Sequence, residues 1–171
     1  MKNGIANMLA RGAVALGNSA SKLQSLQLRL LAGEVKDNVE HLEPYGFTAC
    51  PQEGAEALAA FIGGDRSHGV VIVVADRRFR LQGLKPGEVA LYTDEGDFIH
   101  FKRGRMIEME TLTLKVKAAT AVEFDTPEIR TTGKIISQGD QVAAGVSQIN
   151  HPHGDVQPGS GQSGPPLGGD A

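Results

Sequence analysis

Tryptophan is absent from the 171 residues, tyrosine occurs twice and cysteine once. The lone Cys50 has no intrachain partner, so the chain is not a small domain stapled by disulfides. Long apolar runs are also lacking: none reaches the roughly 18 consecutive residues that a helix needs to cross a bilayer. Nor is positive charge in excess. Lys and Arg number 17 against 20 Asp and Glu, and a net charge of -3 disfavours a nonspecific phosphate-binding surface. The glycines have neither the Gly-Lys-Ser/Thr ending of a nucleotide loop nor the spacing of a dinucleotide fingerprint.

What is present falls into four regimes. Residues 1–24 are rich in Ala, Gly and Leu and are read as a short helix or a flexible segment. The apolar stretch Met8 to Leu16 superficially suggests a secretory leader, but Arg11 and Gly12 interrupt it. Residues 25–104 carry short strand-length runs divided by turn formers. Leu26, Leu28 and Leu30 recur with the two-residue period of a strand, and Val70 to Val74 is a continuous β-branched run. The stretch Gly54 to Phe61 is ambiguous between helix and strand. Val89 to Tyr92 and Phe98 to Phe101 flank the hairpin signal Thr93 to Asp97. About five short strands in this span suggest a small barrel of the oligonucleotide/oligosaccharide-binding (OB) type.

Residues 105–150 are thinner. Leu112, Leu114 and Val116 alternate with Thr and Lys, Val122 and Phe124 alternate with acids, and Phe124 is the one aromatic between Met109 and Ile149. Such strands need a partner surface. They either cover the barrel as extra sheet, or three copies wind about a common axis and so remove their exposed edges. Residues 151–171 form the last regime; from Gly154 onward six Gly and three Pro leave no core-forming side chains. That end is either a disordered tail or a tightly folded cap.

Few residues suggest chemistry. His151-Pro152-His153 is the strongest signal. On one extended chain its two rings lie about 6.6 Å apart along the strand and fall short of a compact tetrahedral site. Three chains on an axis would offer six nitrogens, an octahedral set that favours iron or nickel over tetrahedral zinc; the other reading is an incidental solvated pair. His41, His68 and His100 have no His or Cys at ligand spacing and read as structural or solvated. Two other functions can be drawn from the chain. A barrel hydrolase would use His68 with a carboxylate such as Asp65, and a nucleic-acid-binding module would use Arg77, Arg78, Phe79 and Arg80.

The run from His151 to Gly159, continuing through Ser163-Gly164-Pro165-Pro166, resembles the phage baseplate assembly protein V family, and within it the central spike proteins of Mu-like contractile-tailed phages. Gly33 to Glu40, Tyr45-Gly46-Phe47 and Gly87 to Tyr92 resemble the barrel of the same family. The resemblance implies an all-β homotrimer: an OB-fold-like barrel, an intertwined triple-stranded β-helix and a metal-bound apex. It assigns His151 and His153 to one iron ion per trimer with six histidine ligands, nickel or zinc being less favoured. It also implies a structural protein with no catalytic or cofactor-binding residues and no specifically bound nucleic acid. Its partners would be tail-tube and baseplate hub proteins, with transient contact to the host outer membrane as it pierces that membrane during sheath contraction. Its place would be the tip of the virion tail, and the host cytoplasm during assembly.

Overall fold

The computed structural model describes residues 8–155 and 159–161, so parts of the first and last regimes, including most of the Gly/Pro-rich end, lie outside the described residues. The chain divides into two units, Met1–Val116 and Lys117–Ala171.

The first unit contains a closed five-stranded barrel, the OB-fold-like architecture expected from the sequence. Its strands are β1 (Leu9–Asn18), β2 (Ser25–Leu30), β3 (Val35–His41), β4 (Glu56–Phe61) and β5 (Gly69–Ala75), in the spatial order β1-β2-β3-β5-β4. All pairings are antiparallel except that of β3 with β5, where Glu40 faces Val70 and His41 faces Val71. The alternation of each strand fills the interior: Leu26, Leu28 and Leu30 from β2, Ala57, Ala59 and Phe61 from β4, Val39 from β3 and Val71 from β5 form one buried cluster with Val14. Thus the stretch after the turn at Gly54 resolves as a strand whose Ala57 and Ala59, with Ala55 before it, face inward and leave room for the single large ring of Phe61.

Two sequence expectations are corrected. Within residues 1–24, the described part is a strand instead of a helix, and it closes the barrel: Leu9 to Ala13 pair with β4 while Gly12 to Asn18 pair with β2. The two-residue period is masked because a bulge between Val14 and Leu16 buries both Val14 and Ala15. Small residues are needed there as well, since a Cβ on Gly12 would lie 2.6 Å from the Arg29 carbonyl oxygen.

The second correction concerns Val89 to Tyr92 and Phe98 to Phe101, which were expected in the barrel. They belong to a separate antiparallel sheet of β6 (Val89–Tyr92), β7 (Phe98–Lys102) and β8 (Met106–Glu110). Barrel closure by β1 leaves no free edge for them to join. The anticipated hairpin at residues 93–97 is present, with Gly96 at φ 94° and the Thr93 amide donating to the Asp97 carbonyl at 2.9 Å.

In the second unit, the described residues form one small hairpin, β9 (Val142–Ala143) with β10 (Val146–Ser147). Ala144 (φ 49°) and Gly145 (φ 81°) make its two-residue turn, the pair of positive φ angles that matches the twist of a tight hairpin.

Candidate functional site

The C-terminal histidines emerge directly from that hairpin. Asp140 braces it by accepting the Gln148 and Ile149 amides at 3.0 and 3.3 Å. A hydrogen bond from the Ser147 hydroxyl, followed by these amides, holds the Asp140 carboxyl below the usual carboxylate range. The chain then reaches His151, whose Nδ1 is 2.7 Å from the Ser147 carbonyl oxygen. The rings of His151 and His153 pack edge to face, with centroids 4.8 Å apart and planes at 70°. Both side chains are exposed.

This geometry corrects the expected iron centre. Among the described residues no group of three or more His, Cys, Asp or Glu side chains is arranged to hold a metal ion. The two imidazoles of one chain pack against each other with no third ligand beside them, and the His151 Nδ1 that faces a carbonyl oxygen donates a proton there. Two imidazoles are too few for the expected six-histidine iron site, and the described residues supply no further ligand for iron, nickel or zinc.

Of the other histidines, His41 and His100 are buried and His68 is exposed. His41 and Gln24 are both buried, with Nδ1 3.3 Å from the Gln24 Oε1. His100 is buried against Glu88. His68 lies on an exposed turn, where Ser67 Oγ and Asp65 Oδ2 are 3.0 and 3.7 Å from the same ring nitrogen, Nδ1. A proton relay needs the nucleophile on one ring nitrogen and the acid on the other, so these three residues do not form one. Asp65 instead caps its own turn through the Ser67 amide and hydroxyl, and those bonds, the amide first, lower its pKa.

The basic cluster is similarly engaged. Arg77 and Arg11 both bind Glu56, and Arg78 binds Asp76 at 2.5 Å while its guanidinium covers the Phe79 ring at 5.1 Å. Glu56 and Asp76 are held below their usual pKa chiefly by the side-chain hydrogen bonds from Arg77 and Arg78. Two of the three arginines in the proposed nucleic-acid patch are therefore committed to carboxylates.

The structure adds one surface that the sequence does not single out and lays bare a second that it does. In the three-stranded sheet, Val89 pairs with Phe101 and Phe101 with Ile107, while Leu91 pairs with Ile99 and Ile99 with Met109. Those six side chains occupy one face and all are exposed, making two cross-strand rows with no polar member. The opposite face carries His100 and the Lys102–Glu108 ion pair. The strand period shows this only when the register is known, because each strand alone looks merely mixed.

The second surface is extended chain. Among the described residues, no strand forms between Thr111 and Gln141, yet the apolar side chains of the alternation remain uncovered: Leu112 is 100% exposed, Phe124 70% and Ile136 87%. Backbone amides and apolar side chains left unpaired together are a structural debt that a folded protein does not leave open.

Among the described residues, the barrel carries an engaged charge network, while the sheet face and the extended segments are uncovered surfaces of the kind that assembly with other chains would close. A model of the family described as Bacteriophage Mu Gp45, N-terminal, matches residues 11–78, which take in the barrel from β1 through β5. The chain is 40% identical over 144 residues to the "Baseplate puncturing device gp45" of Escherichia phage Mu, spanning 84% of this chain and 73% of that one. It is 35% identical over 167 residues to the "Mu-like prophage FluMu protein gp45" of Haemophilus influenzae, covering 90% of each. The chain belongs to the phage Mu gp45 family.

Proposed function

We propose that this chain is a structural piercing protein of a phage tail baseplate, which drives through the host outer membrane when the tail sheath contracts. Its relative in phage Mu is named for baseplate puncturing. The observation that carries the reading is the alternation from Leu112 to Ile149, whose apolar side chains are exposed among the described residues.

In this reading three copies intertwine. The β6–β8 faces of neighbouring copies would close over one another, and the 112–149 segments would pair between chains to form a shared shaft. Hydrogen bonding between chains supplies the missing ladders and removes the edges. A shaft of this kind carries axial load because no strand can leave without breaking bonds to two others. His151 and His153 stand in it as the proposed functional residues of the C-terminal unit, two imidazoles from each chain. Assembly would take place in the host cytoplasm, before the protein joins the tube and hub proteins of the tail.

The test has two parts. Light scattering on the purified chain should give about three times its 18.0 kDa mass; a monodisperse monomer overturns the intertwined shaft. Tail particles lacking the chain should contract on triggering yet leave outer-membrane vesicles sealed, whereas complete particles release vesicle contents. Equal release from both kinds of particle sinks the piercing role.

A further inference from the structure

The loop joining β3 to β4 presents Tyr45 at 104% and Phe47 at 62% exposure, with Leu42 beside them also exposed. An aromatic standing entirely in solvent is costly unless something covers it, and this loop holds its aromatics in place instead of letting them fold back. The Phe47 amide donates to the Pro44 carbonyl at 3.0 Å around Gly46, whose φ of 84° is that of a type II turn. The Glu43 carboxylate accepts the Ala49 amide at 2.7 Å and the Thr48 hydroxyl at 3.1 Å. The far stem is tied to the barrel by Gln24, whose Nε2 donates to the Ala49 carbonyl at 2.9 Å while its Oε1 meets buried His41. A side-chain clamp buried on the barrel thus fixes a loop whose tip is apolar. Rigid presentation lowers the entropy lost on binding, and exposed tyrosine is a recurrent anchor of protein interfaces.

The charge around the tip selects its occupant. From Asp37 to Glu43 the chain carries three carboxylates, Asp37, Glu40 and Glu43, and no Lys or Arg, whereas Glu53 on the far side of the loop is paired with Arg29. Copies of this loop would repel one another, and the uncharged β6–β8 face offers a better surface for self-association. We infer that the Tyr45–Phe47 loop is a docking tip for a different protein of the tail, one offering an apolar socket rimmed by basic side chains. The inference rests on the baseplate reading above and adds to it the surface by which the barrel is held.

The experiment uses the full chain assembled into tail particles, with the photo-crosslinker p-benzoylphenylalanine at position 45. Irradiation should yield an adduct with another tail protein. The double variant Tyr45→Ala/Phe47→Ala should enter particles on the order of tenfold less well while the isolated protein keeps its mass and melting temperature. Asp37→Lys/Glu40→Lys should also reduce entry. Adducts only between copies of this chain, or undiminished entry of the aromatic variant, overturn the docking tip and leave the baseplate role standing. Undiminished entry of the charge-reversed variant overturns the basic rim. Absence of the wild-type chain from particles overturns the baseplate role and the docking tip together.

Discussion

His100 Nε2 lies 3.2 Å from Glu88 Oε2, and the two side chains are only 11% and 6% exposed. Glu88 also receives the Arg103 amide on Oε1 at 3.0 Å and the Lys85 amide on Oε2 at 2.9 Å. One carboxylate therefore joins the turn before β6 to the end of β7. The Arg103 amide is the largest influence, followed by the Lys85 amide, and with His100 they bring the Glu88 pKa down from 4.5 to about 2.

A depressed carboxylate stabilises the fold wherever it is ionised in both states, and that contribution disappears as the folded form takes up its proton. The stability advantage of wild type over Glu88→Gln should be constant above about pH 4.5 and should shrink as pH falls from there towards about 2. Urea midpoints of the two proteins across that range check this. An advantage that instead grows with acidity would contradict the assignment.

Gly12→Ala should destabilise the barrel by about 1–3 kcal/mol, the usual range for overpacking. Its new Cβ would sit 2.6 Å from the Arg29 carbonyl oxygen and 2.7 Å from Leu30 Cδ2. The first of these is backbone and cannot rotate away. A denaturation midpoint equal to wild type would show that β1 and β2 do not approach as described.

Phe61→Ala should cost about 3–5 kcal/mol. The ring is 1% exposed inside the barrel, and the Arg66 guanidinium stacks on it at 4.3 Å. Calorimetry should show a lower transition temperature, with heat-induced loss of the barrel preceding any change elsewhere.

Phe101→Asp/Ile107→Asp places two carboxylates in one apolar row of the β6–β8 sheet, at positions paired across the strands. Both positions are exposed in the single chain, so the barrel's melting behaviour should hold. Particle mass by light scattering should fall below that of the wild type. An unchanged mass would mean that this face is not where copies meet.

Much of the barrel was legible because its strands carry clean alternation: Leu26, Leu28 and Leu30, or the β-branched run at Val70, announce themselves. β1 was not legible, since its bulge at Ala15 breaks the period and its glycine answers to a carbonyl on another strand. The membership of β6 and β7 depended on whether the barrel was already closed, a question of pairing that no single strand records. His151 and His153 were easy to notice, but their ring packing and the Ser147 contact depend on a hairpin whose turn uses Ala144 at positive φ, where alanine gives little warning. The Tyr45 tip was visible as letters, while its rigidity came from Gln24, distant in sequence.

The path of β1 along both β2 and β4 makes the opening strand the seam of the barrel. Trimming the chain beyond Leu9 to simplify expression would unzip two neighbours at once and offer their bare amides to other molecules. Constructive engineering of this protein should therefore keep that seam intact and place tags or fusions ahead of it.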